Sequence, residues 1–320
     1  MGRFRTAAAV TVGAVIFLVL VGSVVRMTGS GMGCPDWPTC FGQIIPPTDI
    51  SQLPADYKTR FAVSGREIAD FDPFKTWVEY VNRLVGVAIG LLGIVTVVLS
   101  FFANKHQRGV FGWSLIGFVL ILVSAGVGAY VVKTHLSEGL VTIHMLIALL
   151  VVAAFMIAFL LAWKGHVPHY SSVDGKGKQI MIGLGVLSVC MILSQVLMGT
   201  QVREQVDMLA KVTGSDSRST WISSLNSPYQ IHQLFHYALA VVMLAWGYVM
   251  RGILREQRVV WTLFVGLVAL LVMEAALGIG MHRLDIPAWM QPLHLMLATM
   301  LFAGAFGLTG WLTLILKERK

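Results

Sequence analysis

Eight long runs of apolar residues constrain this chain more than any other feature of its sequence. A membrane-spanning helix needs about twenty apolar residues, because each residue rises roughly 1.5 Å and the hydrocarbon layer is about 30 Å thick. Such runs lie near residues 7–27, 77–102, 111–132, 140–163, 179–200, 229–250, 259–281 and 291–316. Only 12% of the residues are charged, about half the usual share of roughly 25%. The sequence therefore predicts an all-α membrane protein with eight transmembrane helices.

The positive charges predict how these helices are oriented, because Lys and Arg favour the cytoplasmic side of a membrane. Thirteen of the 24 Lys and Arg residues, against three of the 16 acidic residues, lie in segments 1–5, 104–109, 163–178, 251–258 and 317–320. We expect these segments, which include both termini, in the cytoplasm. The absence of a presequence before the first run favours a bacterial cytoplasmic (inner) membrane. The net charge of +8 then reflects membrane topology, not nucleic-acid binding.

The two halves of the sequence look like copies of one four-helix unit. Residues 125–148 align with residues 275–298 without a gap, and the GSVVR that ends the first run resembles the GTQVR that ends the fifth. Internal repeats of this kind are common in membrane bundles. The sequence therefore predicts two repeated four-helix bundles, over residues 1–165 and 179–320.

The repeat brings histidines to equivalent places in the two halves. His144 aligns with His294, and Asn82 aligns with His236. Facing histidines in a four-helix bundle are a common way to hold heme iron. We therefore expect His236 and His294 to bind a heme or another metal, with His232, one turn before His236, as the rival ligand or a propionate contact. For each position taken alone, the alternative is a buried, hydrogen-bonded histidine.

The first half differs at one of its two ligand positions. An amide binds iron poorly compared with imidazole, so an iron held by His144 would be open on the side of Asn82. Glu79 lies one turn from Asn82, where a carboxylate in a partly apolar setting suits proton transfer. The alternative is that Glu79 only forms an ion pair with Arg83, four residues later.

Arginines and tryptophans are expected at the membrane interfaces. Arg26, Arg83 and Arg203 are suited to bidentate pairing with heme propionates, or else they anchor helix ends as ordinary interfacial residues. Four tryptophans fit an interfacial aromatic belt: Trp37, Trp77, Trp221 and Trp289.

The first connection, residues 28–75, is long for a loop inside a compact bundle. We interpret this external segment as a lid over the first-half site. Cys34 and Cys40 lie within it, on the oxidising side of the membrane, where a disulfide persists. The pair is either a structural disulfide that stiffens the lid or a redox-active pair.

Taken together, these motifs resemble the heme A synthases, membrane enzymes of cytochrome oxidase assembly. The resemblance runs through TGSGMGCPDWPTCFGQ (28–43), EYVNRLVG (79–86), IHMLIA (143–148), IHQLFHYALA (231–240) and PLHLMLA (292–298). It implies a duplicated eight-helix bundle that oxidises the C8 methyl of heme O to the formyl of heme A by successive hydroxylations.

The resemblance also implies roles for particular residues. The C-terminal half would hold a heme b cofactor at His236 and His294, and the N-terminal half would receive the substrate heme at His144. Glu79 would be needed for activity. The chain departs from the family pattern at Asn82, where an E-x-x-H-R motif usually has its histidine, and this departure leaves His144 as the firmest ligand for the substrate iron.

The implied partners are heme O, the lipid bilayer, heme O synthase and cytochrome oxidase assembly factors, with a second copy of the chain as a further candidate. Two other functions compete with this interpretation. A diheme cytochrome b-type electron carrier would have a histidine at both positions of each pair, which Asn82 contradicts. A transporter would need charges at the middle of the membrane, for which Glu274 is the one candidate.

Overall fold

The computed structural model describes residues 1–105, 107–167, 170, 173–214 and 217–316. Some residues of the segments expected in the cytoplasm lie outside this part: 106, 168–169, 171–172 and 317–320. The described chain is all-helical. Its helices are α1 (Gly2–Met27), α2 (Tyr57–Arg60), α3 (Pro73–Ala103), α4 (Val110–Lys133), α5 (Glu138–Trp163), α6 (Gly175–Thr213), α7 (Arg218–Ser224), α8 (Ser227–Val249), α9 (Arg251–Glu256), α10 (Arg258–Arg283) and α11 (Met290–Ile315).

Seven of these helices are long and apolar enough to cross a membrane, namely α1, α3, α4, α5, α6, α10 and α11. They correspond to seven of the eight predicted spans, and they make the chain a multi-pass membrane protein. The remaining predicted span is α8, whose 23 residues include His232, Gln233 and His236. Because of these polar side chains, no stretch of α8 is as apolar as the most apolar stretches of the other seven helices. The crossing of the membrane by α8 stays a prediction.

Helix α6 extends well beyond the predicted end near residue 200. The residues that follow, QVREQVDMLAKVT, are mostly good helix formers. Arg203 and Asp207 form an ion pair of 2.7 Å across one turn of this extension. The helix ends at Gly214, whose positive φ of 76° suits glycine and whose N–H bonds the carbonyl of Ala210. The polar sequence of this segment had suggested a loop, but its helix propensity prevails.

The chain folds as two compact units. The N-terminal unit contains Gly2–Phe102 and Phe111–Phe155, and the C-terminal unit contains Ala103–Val110 and the chain from Met156 onward. The division falls inside α5. The assignment of a separate function to each predicted half stays a prediction.

Helices of the N-terminal unit pack through small residues and one buried polar contact. The hydroxyl groups of Thr11 on α1 and Thr96 on α3 are 2.9 Å apart. A Cβ atom at Gly117 of α4 would lie 2.7 Å from the ring of Phe155 on α5. Because no real Cβ atom fits at that distance, glycine sets the close approach of these two helices.

In the C-terminal unit, α6 packs against both α8 and α11, and α11 also packs against α10. Gly185 of α6 allows one of these contacts, because a Cβ atom there would lie 2.6 Å from the hydroxyl of Thr309 on α11. Trp221 of α7 is only 2% exposed. Its predicted place in an interfacial belt is therefore wrong, because this ring lies inside an apolar cluster with Val206, Leu225 and Ile286.

Candidate functional site

The connection between α1 and α3, residues 28–72, has a small core of its own; we call it loop one. Phe41 lies at its centre, in edge-on contact with three aromatic rings: Phe61 at 5.5 Å, Phe71 at 5.6 Å and Tyr57 at 6.4 Å between centroids. Cys34 and Cys40 are fully buried in the same cluster and form a disulfide. The predicted disulfide is confirmed. Its complete burial favours the structural alternative over a redox-active pair.

Asp36 shapes the ring that the disulfide closes. Its carboxylate accepts hydrogen bonds from the backbone N–H of Phe41 at 2.5 Å, from that of Gly42 at 2.9 Å and from the hydroxyl of Thr39. Aspartate side chains stabilise tight turns in this way by replacing backbone partners. The ring therefore has a defined shape that presents its carbonyl groups to α3.

Two charged residues of α3, Glu79 and Arg83, bind this ring. Oε1 of Glu79 accepts from Arg83 at 2.5 Å, and Oε2 accepts from the backbone N–H of Cys34 at 2.8 Å. Arg83 also donates to three backbone carbonyls of the ring: Cys34 at 2.9 Å, Asp36 at 2.6 Å and Thr39 at 3.0 Å. The Glu79 side chain is 5% exposed and that of Arg83 14%. The ion pair expected from their four-residue spacing is present, buried beneath loop one.

Burial of an ion pair is costly unless further hydrogen bonds satisfy both partners. Here the carbonyls of loop one satisfy the guanidinium, and the N–H of Cys34 satisfies the carboxylate. Thr76, one turn before Glu79, extends the contact because its hydroxyl donates to the carbonyl of Gly33 at 2.9 Å. Both terminal nitrogens of Arg83 are thus bonded within the protein, whereas the sequence suggested a contact with a propionate.

His144 of α5 faces α4. Its Nδ1 lies 3.3 Å from the hydroxyl oxygen of Ser124. A Cβ atom at Gly128 would lie 3.2 Å from its Cε1, so that the absence of a side chain there makes room for the ring. When one ring nitrogen of a histidine has a partner, the other is the one oriented to bind a metal. This geometry leaves Nε2 of His144 as the candidate ligand atom.

Asn82 lies on α3, one turn from Glu79. Its Oδ1 is buried and has no hydrogen-bond partner within the described ranges. The nearest atom to a Cβ at Gly22 of α1 would be this oxygen, at 3.8 Å. A buried acceptor without a partner is unusual in a folded protein and is expected where a protein binds a ligand.

His294 of α11 is the centre of a polar group in the C-terminal unit. Its Nδ1 is in close contact with Oε2 of Glu274 on α10, although neither atom has a hydrogen bond of regular geometry among the described residues. Its ring centroid lies 6.3 Å from that of His232 on α8, with the two planes at 76°. Nδ1 of His232 is buried without a hydrogen-bond partner in the described chain. His236, one turn along α8, is partly buried.

The described residues contain no group of three or more His, Cys, Asp or Glu side chains arranged for a bare metal ion. A porphyrin supplies four ligands to its own iron, so that the protein needs to provide only one or two axial ligands. The candidate histidines are His144 in the N-terminal unit and His232, His236 and His294 in the C-terminal unit. They match the requirement of a heme better than that of a metal site built from protein ligands alone.

The remaining predicted residues are Arg26 and Arg203. Arg26 lies in the last turn of α1. Arg203 lies within α6, because that helix is longer than expected, and its side chain is 23% exposed beside Asp207. Their contact with propionates stays a prediction.

Sequence reasoning missed the side chains that contact two of the histidines. Ser124 lies twenty residues before His144, and Glu274 lies twenty residues before His294. Extending the ungapped alignment of 125–148 with 275–298 by one residue at its start would have paired Ser124 with Glu274. The signal is present in the repeat, next to its first matched position.

The chain is similar to known proteins along most of its length. Residues 5–306 match the family model described as "Cytochrome oxidase assembly protein" (COX15-CtaA). A heme A synthase of Shewanella oneidensis is 24% identical over 67% of this chain and 63% of that protein. A heme A synthase of Exiguobacterium is 28% identical over 57% of this chain and 53% of that protein. A heme A synthase of Ehrlichia ruminantium (strain Gardel) is 22% identical over 94% of this chain and 90% of that protein.

Proposed function

This chain belongs to the COX15-CtaA family of cytochrome oxidase assembly proteins, and we propose that it is an enzyme that converts heme O to heme A. In this reaction the C8 methyl group of heme O is oxidised to a formyl group by successive hydroxylations. The observation that carries the proposal is the buried Glu79 carboxylate, held by Arg83 and by the N–H of Cys34 in the unit that contains His144.

The C-terminal unit suits a resident heme b. We propose that His236 and His294 would hold its iron, with His232 as a contact of the cofactor. The contact with the Glu274 carboxylate orients Nδ1 of His294 and leaves Nε2 of the neutral ring for iron. The unpartnered, buried Nδ1 of His232 fits a ligand pocket that the protein alone does not satisfy. Such a heme, when bound, supplies one-electron chemistry.

The N-terminal unit suits the substrate heme. We propose that His144 binds its iron through Nε2 and that Asn82 leaves the opposite face open or contacts it weakly. Glu79, one turn from Asn82, accepts a proton during oxidation of the methyl group, and its buried position suits that role. An iron held from one side is easier to release, which matters because the product must leave for the oxidase.

The arginines divide into two roles in this proposal. Arg26 and Arg203 are the candidates for bidentate pairing with heme propionates, and Arg203 would exchange its ion pair with Asp207 for a propionate. Arg83 instead orients Glu79 and holds loop one, the lid of the substrate site, since its terminal nitrogens already bond Glu79 and three carbonyls. A propionate would have to displace those bonds.

We further propose that eight membrane helices form two repeated four-helix bundles, with both termini in the cytoplasm and the two sites at the external side. The equal spacing of Ser124 from His144 and of Glu274 from His294 supports the repeat. The lipid bilayer delivers heme O, and a heme O synthase and cytochrome oxidase assembly factors are the partners that this chemistry requires.

The first experiment is to purify the protein from cells with and without a heme O synthase and to identify its hemes by chromatography and mass analysis. We expect heme b alone without the synthase, and in addition heme O, its hydroxylated form or heme A with it. Two equivalents of heme b, whether or not heme O is available, would instead make the chain a diheme electron carrier.

Four single variants then assign the ligands. We expect His144→Ala to lose the heme derived from heme O and keep heme b, and His294→Ala to lose heme b. Because the ring of His232 lies beside that of His294, the comparison of His236→Ala with His232→Ala is decisive. Loss of the low-spin heme spectrum in His236→Ala alone supports our assignment, and loss in His232→Ala alone makes His232 the ligand.

A further inference from the structure

The two histidines at equivalent positions of the repeat have partners of different charge. Nδ1 of His294 contacts the carboxylate of Glu274, and Nδ1 of His144 lies 3.3 Å from the hydroxyl of Ser124. In both pairs the partner lies on the preceding helix, twenty residues earlier. A glycine faces each ring: a Cβ atom at Gly128 would lie 3.2 Å from Cε1 of His144, which is tight, and one at Gly278 would lie 3.9 Å from Cε1 of His294, which is ordinary contact.

We propose that Glu274 is a positioning residue that makes His294 a strong, permanent iron ligand, whereas Ser124 leaves His144 a weak one from which a heme is released. This inference rests on the proposed function, because it concerns the hemes that each unit would hold. The difference between Glu274 and Ser124 would explain why one heme remains bound as a cofactor, whereas the other binds as substrate and is released as product.

The geometry supports a carboxylate that acts on the histidine alone. The Glu274 side chain is 5% exposed, and its Oε2 is in close contact with Nδ1 of His294 but has no hydrogen-bond partner of regular geometry among the described residues. An isolated buried carboxylate is costly, so its presence in the middle of α10 calls for a compensating interaction. His294 provides it, and the side chain of His294 is 26% exposed, with its ring 6.3 Å from that of His232 on α8.

The chemistry follows from the charge of the acceptor. A carboxylate that accepts the Nδ1–H proton fixes the tautomer, orients the ring and raises the basicity of Nε2 toward a metal. Hydrogen bonds to an ionised acceptor are about twice as strong as those between neutral groups. A more basic axial ligand binds oxidised iron more strongly and thereby lowers the reduction potential of the heme.

Ser124 occupies the equivalent position beside His144, but it increases the basicity of the histidine less than a carboxylate does. A hydroxyl is neutral, and a separation of 3.3 Å is long for a bond that involves a hydroxyl oxygen. The hydroxyl orients the ring of His144 without adding charge. In the proposed N-terminal site, where Asn82 is a poor iron ligand, the substrate iron is therefore weakly held.

The test replaces Glu274 by Gln, which keeps the shape and an acceptor oxygen but removes the charge. Two properties are measured on purified protein: the rate of heme b transfer to excess apomyoglobin, and the midpoint potential of the bound heme. We expect the transfer rate to increase about 10–100-fold, the effect typical of losing such a partner. We also expect the midpoint potential of the heme to rise. A purely structural role of Glu274 would not move the potential in this direction.

Matched variants separate this effect from general damage. Ser188→Ala removes another fully buried polar group of the C-terminal unit, on α6, and should change neither property. Ser124→Ala should leave the C-terminal heme unchanged. If Glu274→Gln does not accumulate, Glu274→Asp keeps the charge at a shorter reach and should give smaller shifts in the same directions.

The outcomes distinguish the two proposals. A wild-type protein without any heme overturns the proposed function, and the inference falls with it. A wild-type protein that carries heme b, together with a Glu274→Gln variant of unchanged transfer rate and potential, overturns the role of Glu274 alone.

Discussion

The two units hold the segments that connect their helices by different means. In the N-terminal unit, loop one is bound to α3 by the buried ion pair of Glu79 with Arg83, and its ring is closed by the disulfide. In the C-terminal unit, the connection between α6 and α8 contains α7, and it is fixed mainly by one aromatic side chain. One connection depends on charge, and the other on apolar packing.

Trp221 is that side chain. Its ring is buried in the apolar cluster, and its Nε1–H donates to the hydroxyl of Thr213 at 3.0 Å. The guanidinium of Arg218 lies 4.9 Å from the ring centroid and also donates to the carbonyl of Ile286 at 2.7 Å. Apolar burial of a tryptophan, with its N–H satisfied, is among the stronger single contributions to a fold.

The residues aligned with the ion pair confirm the contrast. Gln233, which aligns with Glu79, is exposed and donates to the hydroxyl of Tyr229 at 2.8 Å, and that hydroxyl is 2.6 Å from Nδ1 of His282. Tyr237, which aligns with Arg83, is 67% exposed. Movement of loop one therefore changes the surroundings of a buried carboxylate, whereas the apolar cluster around Trp221 holds the described part of the other connection. Under the proposed function, this links loop one to the chemistry of the N-terminal unit.

The largest expected effect comes from Glu79→Gln. The amide keeps a similar shape but accepts no proton, so we expect heme A formation to fall about 10²–10⁴-fold, the usual contribution of a general base, with heme b content unchanged. The measurement is heme A per heme b in cells that supply heme O. Gln233→Ala, at the aligned position, should stay near wild type. Equal losses in both variants would refute the contrast between the units.

Much of this arrangement follows from sequence patterns. Long apolar runs identify the helices, because few other structures satisfy the backbone inside a membrane. The four-residue spacing of Glu79 and Arg83 predicts their ion pair, and the cysteines predict the disulfide. The expected end of α6 is wrong, because helix propensity and the Arg203–Asp207 pair continue the helix through polar residues.

These sequence patterns do not predict contacts between segments that are distant in the chain. Arg83 donates to backbone carbonyls of loop one. Because every residue type has a backbone carbonyl, the sequence does not indicate which residues accept these hydrogen bonds. Trp221 was assigned to an interfacial belt because a tryptophan near a helix end usually lies there. Its burial depends on Ile286, far along the chain, which local sequence does not indicate.

A smaller effect is expected from Arg83→Gln, which removes the charge that compensates Glu79. Breaking a buried ion pair costs about 3 kcal/mol or more, equivalent to at least about a hundredfold in an opening equilibrium. We expect hydrogen exchange of the amides in residues 34–42 to accelerate by that order. Tyr237→Ala is the matched variant and should not change it. Unchanged exchange in Arg83→Gln would show that the core around Phe41 holds loop one without the ion pair.

The smallest effect is expected from removing the disulfide, by replacing both Cys34 and Cys40 with Ser. The two residues are separated by only 6 positions, and loop entropy for so short a ring amounts to about 2 kcal/mol. Hydrogen exchange within the ring should therefore accelerate about 30-fold, less than in Arg83→Gln, because the ion pair and the aromatic core remain. Cys190→Ser, at the free and exposed cysteine of α6, controls for the loss of a thiol. An effect larger than that of Arg83→Gln would make the disulfide, and not the buried charges, the main restraint on loop one.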